Sequence, residues 1–257
     1  MNTKKRNKIA GAIYGFVIGD AMGATTEFMS DKQIMQMFGK VTDIIGGGWL
    51  NLKAGDVTDD TQMSICVIDA FMKSYEEKNN KTFVKNCADN FVEWYKSGPK
   101  DVGGQCARGI RYYMQTGQYI YKDRNAMGNG SLMRAMPCAV LNEPFLNIEQ
   151  GRITHNNQDC SQVILDYTRM IQNYLDGILY SYNIKGPQEP SGYLWNTFNN
   201  AVYWSNGISF EDAIINAVNH GGDADTIAAI TGSLAGAKFG FDEIPNGVSE
   251  ETISSTI

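Results

Sequence analysis

Charge is scarce in this chain. Only 19% of its 257 residues are Asp, Glu, Lys or Arg, against ~25% in ordinary soluble domains. No long Lys/Arg run occurs, and the formal net charge is −6. This argues against generic nucleic-acid binding, which depends on many cations along a phosphate backbone. An anionic ligand must then be held by metal ions, backbone N–H groups or single basic side chains. Paired CxxC motifs are missing too. The five cysteines (Cys66, Cys87, Cys106, Cys138 and Cys160) are odd in number, which fits free, mostly buried thiols in a reducing cytoplasm better than a disulfide framework. With no Pro/Ser-rich linker and no low-complexity tract, residues 1–257 read as one compact domain with a sizeable core. No uninterrupted apolar run is long enough to span a bilayer, so no membrane partner is expected. The basic Met1–Lys8 and apolar Ile9–Ile18 imitate a secretion signal, but Asp20 stands close behind and no Ala-x-Ala-like site is well placed. The segment reads as a buried helix.

Period-two alternation is also scarce, and helical spacing dominates. Met63, Val67, Ala70, Phe71 and Ser74 fall on one face over 60–75. Phe83, Cys87, Phe91 and Trp94/Tyr95 mark another helix, and Ile164, Tyr167, Ile171, Tyr174/Leu175 and Ile178 a third over 161–180. Trp195, Phe198, Val202 and Tyr203 mark a fourth, and Ala213–Val218 opens a fifth that ends at Asn219-His220-Gly221-Gly222. The fold class is therefore all-α, with many short helices packed at varied angles.

Glycine recurs every fourth residue in two segments: Gly11, Gly15, Gly19 and Gly23, and Gly232, Gly236 and Gly240 preceded by Ala228. Each glycine destabilises a helix by ~1 kcal/mol relative to Ala, so a stripe of them implies close backbone approach. The two helices are expected to pack one against the other, or each against a third. Either arrangement would bring Asp20 and Glu27 near residues 221–226.

Two short stretches carry the acidic chemistry: Val57-Thr58-Asp59-Asp60-Thr61 and Gly221-Gly222-Asp223-Ala224-Asp225-Thr226. Either alone is explained by helix capping, since Asp and Thr are preferred N-caps. One cap needs one residue, however, and both stretches supply several. Four carboxylates at one site would repel without cations between them. Hard oxygen ligands suit Mg2+ or Mn2+ rather than zinc, which points to a two-metal hydrolytic site. The glycine-rich loop 97–109 breaks helix structure. Within it Asp101 alone reads as an Asx-turn, and Glu27 alone as a surface carboxylate. His155, one of only two histidines, reads as structural. The loop Gly128-Asn129-Gly130-Ser131 before an apolar run is expected to open a helix and offer N–H groups to an anion.

Taken in order, these pieces resemble the ADP-ribosylglycohydrolase family, which includes dinitrogenase reductase-activating glycohydrolases. The matching blocks are Gly15 to Glu27, Gly46-Gly-Gly-Trp49 through Ala54 to Thr61, Gly128 to Pro137 with Thr154-His155, and Gly221 to Gly232 running on to Gly240 and Ile244-Pro245. The resemblance implies an all-α orthogonal bundle with two Mg2+ or Mn2+ ions in a cleft, cleaving the bond between C1 of ADP-ribose and an acceptor side chain. Carried over by position, Thr58, Asp59, Asp60, Asp223, Asp225 and Thr226 are similar to the metal ligands, with Asp225 as the bridge. Glu27 resembles the acidic residue near the reacting ribose, and Asp101 the carboxylate of the arginine-linkage branch. Gly103, Asn129, Gly130, Ser131 and His155 resemble ADP-ribose contacts. The stretch Asn156-Asn157-Gln158 departs from relatives that carry a second His there. The expected substrate is an ADP-ribosylated protein, most simply at arginine, with ADP-ribose as product, and the chain is expected to act as a monomer. Alternatives keep the chemistry on serine, a nucleic-acid base or a small ADP-ribose derivative, or make the chain a non-catalytic binding relative.

Overall fold

The computed structural model describes residues 2–77, 82–179, 182 and 184–245. Among them the architecture is all-α. The helices are α1 (Thr3–Gly23), α2 (Asp31–Phe38), α3 (Asp59–Glu76), α4 (Phe83–Lys96), α5 (Gly104–Thr116), α6 (Met136–Val140), α7 (Pro144–Arg152), α8 (Gln158–Leu175), α9 (Leu194–Ser205), α10 (Phe210–His220) and α11 (Ala224–Phe239), followed by a 3-10 turn at Phe241–Glu243. Extended pairing among the described residues consists of isolated bridges, including Ser30 with Gly221 and Gly47 with Leu52. None of the described helices is long and apolar enough to cross a membrane.

The chain divides into two compact units, residues 1–58 with 170–257, and residues 59–169. In the first, α11 is buried from Ala224 through Ala237, as expected for a helix with little charge on any face. It packs against α1, α9 and α10. The glycine stripes of α1 and α11 face each other, antiparallel. A Cβ on Gly11, Gly15, Gly19 or Gly23 would fall on the backbone carbonyls of Gly236, Gly232, Ala228 and Ala224 in turn. The expected contact is therefore the direct one, helix on helix, and no third helix mediates it.

In the second unit, α3 and α4 pack together, with α5, α6 and α7 against them. The core joins Met63, Val67 and Ala70 to Phe83, Cys87 and Phe91, then to Cys106, Ile110, Met133, Cys138 and Ile153. These include the apolar faces expected on α3 and α4. All five cysteines are free thiols, and all but Cys66 are buried.

Three expectations need correction. The loop 97–109 is a loop only to Gly103, because residues 104–109 are the first turns of α5. Gly109 is there for packing, since a Cβ would meet the Thr154 Cα at 2.6 Å. Helix α8 stops at Leu175, where Gly177 (φ 79°) turns the chain and the Ile178 N–H reaches back to the Asn173 carbonyl at 2.8 Å, a glycine C-cap. Ile178 is exposed, and the expected helix end at residue 180 lies outside the described residues. Gly128–Ser131 leads into a run of turns over 130–134, and α6 begins only at Met136.

Candidate active site

In the first unit, α10 ends on Gly221 and Gly222, both left-handed (φ 75° and 65°). A Cβ on Gly221 would strike the Met29 carbonyl, and one on Gly222 the Pro190 carbonyl. The turn is locked to the segment after α1: Phe28 N–H donates to the Gly222 carbonyl (2.6 Å), and Gly222 N–H donates to the Met29 carbonyl (2.8 Å). This clasp sets Glu27 beside Asp223 and Asp225. One carboxylate oxygen from each of the three lies within 4.8 Å of the others, close enough to share one metal ion. Asp223 occupies the N-cap position of α11, yet its side chain makes no capping hydrogen bond. The capping explanation therefore fails at this residue. Asp225 and Thr226 are buried in the first turn of α11. Thr58 is buried as well, and its N–H and hydroxyl both donate to Asp20 Oδ1, at 3.1 and 2.8 Å.

In the second unit, Asp59, Asp60 and Thr61 are buried in the first turn of α3. Asp59 Oδ2 accepts the Gly103 N–H at 3.2 Å. The Asp101 carboxyl lies against that of Asp59. Burial pushes the Asp101 carboxyl above the usual range, while Asp59 and the Val102 backbone pull it back. Asp101, Gly103 and Asp59 thus form one local group.

The loop Asn129-Gly130-Ser131 is buried in the same unit. A Cβ on Gly130 would sit 2.6 Å from Cys106 Sγ and 2.8 Å from His155 Cε1. His155 Nδ1 pairs with Thr154 Oγ1 at 2.8 Å, while Nε2 is buried with no hydrogen-bond partner among the described residues. Burial, then Arg134 and Arg108, push its pKa down to about 3, so the ring is neutral at ordinary pH. A neutral imidazole with one committed nitrogen leaves the other for a ligand.

Two residues without an expected role organise these groups. Asp20 fixes Thr58, and its one sequence signal was its place on the glycine-striped helix. Arg134 is wholly buried. It donates to the Gly130 carbonyl, to the side chain of Gln150 (2.8 Å) and its carbonyl (3.0 Å), and to Thr154 Oγ1 (2.8 Å). Its guanidinium lies 4.7 Å from the centre of the Phe91 ring. Its position between two apolar residues in Leu132-Met133-Arg134-Ala135-Met136 hid it, because arginine is rarely buried.

A family model described as ADP-ribosylglycohydrolase matches residues 1–180 and 169–253. The chain belongs to this family. The ADP-ribosyl-(dinitrogen reductase) glycohydrolase of Rhodospirillum rubrum is 36% identical over 94% of this chain and 88% of its own length. The ADP-ribosylarginine hydrolase Tri1 of Pseudomonas putida is 30% identical over 93% of this chain and 72% of its own. A solved chain from an ADP-ribosylglycohydrolase-related protein complex superposes with a TM-score of 0.82 at 26% identity, covering 95% of this chain and 92% of that one. Family and relatives indicate an ADP-ribosyl glycohydrolase activity, acting on ADP-ribosylated substrates. Metal dependence is general in ADP-ribosylglycohydrolases, and the donors gathered at Glu27, Asp223 and Asp225 are the hard oxygens that Mg2+ or Mn2+ takes.

Proposed function

We propose that this chain hydrolyses the bond between ADP-ribose and an arginine side chain, with two divalent cations bound. The observation that carries the metal part is the gathering of Glu27, Asp223 and Asp225 within reach of one ion. Asp223, Asp225 and Thr226, with Thr58, Asp59 and Asp60, are the proposed ligands. Such cations, when bound, orient sugar hydroxyls and lower the pKa of a bound water. Glu27 stands next to the reacting ribose and shares the acidic cluster, which adds metal contact to the role expected of it.

The arginine assignment rests on Asp101. Burial raises its pKa, which supports a carboxyl that can hold a proton and give it up. In the proposed reaction water oxygen bonds to C1 and the C1–N bond breaks; the departing guanidino nitrogen takes a proton from Asp101, and the proton released by the attacking water restores it. The relative named as an ADP-ribosylarginine hydrolase supports the same acceptor. Gly103, Asn129, Gly130, Ser131 and His155 are the proposed ADP-ribose contacts, and the Nε2 of His155 supports that reading. Backbone N–H groups of the 128–131 loop are proposed to meet the pyrophosphate. The five free thiols support a reducing, cytoplasmic setting, where the chain acts as a monomer.

The test is release of ADP-ribose from arginine-linked and serine-linked substrates, with Mg2+, with Mn2+ and with chelator. The parent should cleave the arginine linkage only with metal. Asp101→Asn should lower that rate by about 10²–10⁴-fold with metal content unchanged. Cleavage of the serine linkage alone, or a parental rate in Asp101→Asn, would overturn the assignment.

A further inference from the structure

Next to the acidic cluster stands an aromatic pair with no role so far. Phe28 and Trp49 are 64% and 52% exposed, although such rings ordinarily bury most of their area. Their centroids are 5.3 Å apart, tilted at 47°. Each is held by backbone shaped for the purpose. Phe28 has φ 62°, a left-handed conformation rare for a bulky residue and a mark of functional sites when the surroundings enforce it. The Gly222 clasp enforces it here. Trp49 follows Gly46, Gly47 and Gly48, all left-handed (φ 68°, 84° and 64°). Gly47 and Leu52 exchange both backbone hydrogen bonds (2.8 and 2.9 Å), and a Cβ on Gly48 would strike the Ala24 carbonyl. From this fixed loop the indole Nε1–H donates to Glu27 Oε2 at 2.6 Å.

The pair is thus an exposed aromatic surface tied at its edge to a carboxylate of the acidic cluster. The polar edge that the indole N–H and the Glu27 carboxylate make does not suit a purely apolar occupant. A flat cation suits every part: guanidinium stacks on aromatic faces and hydrogen-bonds to carboxylates. A serine acceptor would gain nothing from the rings. We propose that Phe28 and Trp49 form the platform on which the guanidinium of the acceptor arginine lies, and that they set the preference for a cationic acceptor. This rests on the arginine reading above. Trp49 also positions Glu27 through its N–H, a second role separable from the ring face.

The test is a ligand-observed NMR titration of the full chain, loaded with Mg2+ and saturated with ADP-ribose. The probes are arginine amide and its uncharged isostere, citrulline amide. The parent should bind arginine amide tighter by about 3–30-fold, the span of exposed to desolvated cation–π contacts. Trp49→Leu removes the aromatic face, and Phe28→Asn removes a ring while tolerating the left-handed backbone. In both the preference should fall towards one. Trp49→Phe, which keeps a ring and loses only the N–H, should retain most of it. An unchanged preference in Trp49→Leu and Phe28→Asn overturns the proposal. So does a loss of ADP-ribose affinity with the preference intact, which would assign the rings to the adenine. If Trp49→Leu does not fold, Phe28→Asn decides alone. A parent that cleaves arginine-linked substrate while both variants keep the preference sinks the platform and spares the arginine reading. A parent inactive on arginine-linked substrate sinks the reading, and the acceptor role of the platform with it.

Discussion

Arg134 brings a permanent charge into a fully buried position and spends its donors on the Gly130 carbonyl, Gln150 and Thr154. Thr154 in turn holds His155 Nδ1. One side chain therefore ties the 128–131 loop to the histidine proposed to meet ADP-ribose. Arg134→Met should cost about 3–5 kcal/mol, the range for removing one member of a buried charged network. At about 2–4 °C per kcal/mol, differential scanning calorimetry should show a Tm lower by roughly 6–20 °C. Arg134→Lys should recover little of it, since an ammonium cannot reproduce the planar fork. A Tm within a degree of the parent would dismiss the tie. His155 makes a second, separable prediction. Its pKa falls from 6.5 to about 3 on folding, through burial and then Arg134 and Arg108. The unfolded chain binds that proton and the folded one does not, so the contribution is complete above 6.5 and is lost as pH falls towards 3. His155→Gln should flatten the dependence of Tm on pH between those values. An unchanged slope would place the acid sensitivity elsewhere.

Helices α1 and α11 meet where side chains are absent, so their contact is backbone on backbone. Gly19→Ala adds one methyl, and that methyl would strike the Ala228 carbonyl and the Ala229 nitrogen, both rigid backbone. Overpacking of this kind costs about 1–3 kcal/mol, and a rigid carbonyl places it at the upper end. Gly186→Ala, with open space around its Cβ, should leave Tm within a degree. Equal Tm values for the two variants would remove the tight seam. This seam could be read from sequence because period four is a property of the helix itself, and glycine has no other reason to recur on one face. The apolar stripes of α3 and α4 were readable on the same ground. Gly109 reads as a helix breaker because a glycine that admits a neighbour's backbone and one that ends a helix look alike in sequence. The end of α8 at Gly177 is masked in the sequence because Ile178 continues the apolar period without continuing the helix. Within the site, the acidic pairs 59–60 and 223–225 stood out by density. Arg134 and the Phe28–Trp49 pair did not, since burial and exposure depend on contacts between residues distant in the chain.

At the scale of the whole molecule, an acidic chain of net charge −6 keeps several carboxylates out of solvent. Glu27 and Asp225 are buried in one compact unit, and Asp59 and Asp60 in the other. Ionised carboxylates are costly to bury unless a cation offsets them. Ions bound to the folded chain alone stabilise it by mass action, by about 2.7 kcal/mol at a hundredfold excess over Kd, or roughly 5–10 °C in Tm for a chain of this size. Magnesium should therefore raise Tm by that order over a chelated sample, and calorimetry should return two ions per chain. Asp225 is buried and Asp223 is half-buried, so Asp225 has the less water to fall back on when its ion is gone. Asp225→Asn should accordingly lose more metal affinity than Asp223→Asn, and more of the magnesium-dependent rise in Tm. Equal losses in the two variants would remove Asp225 as the bridge between ions. A Tm indifferent to magnesium and chelator alike would remove the metal centre, and the burial of these carboxylates would then have to be explained by protonation on folding.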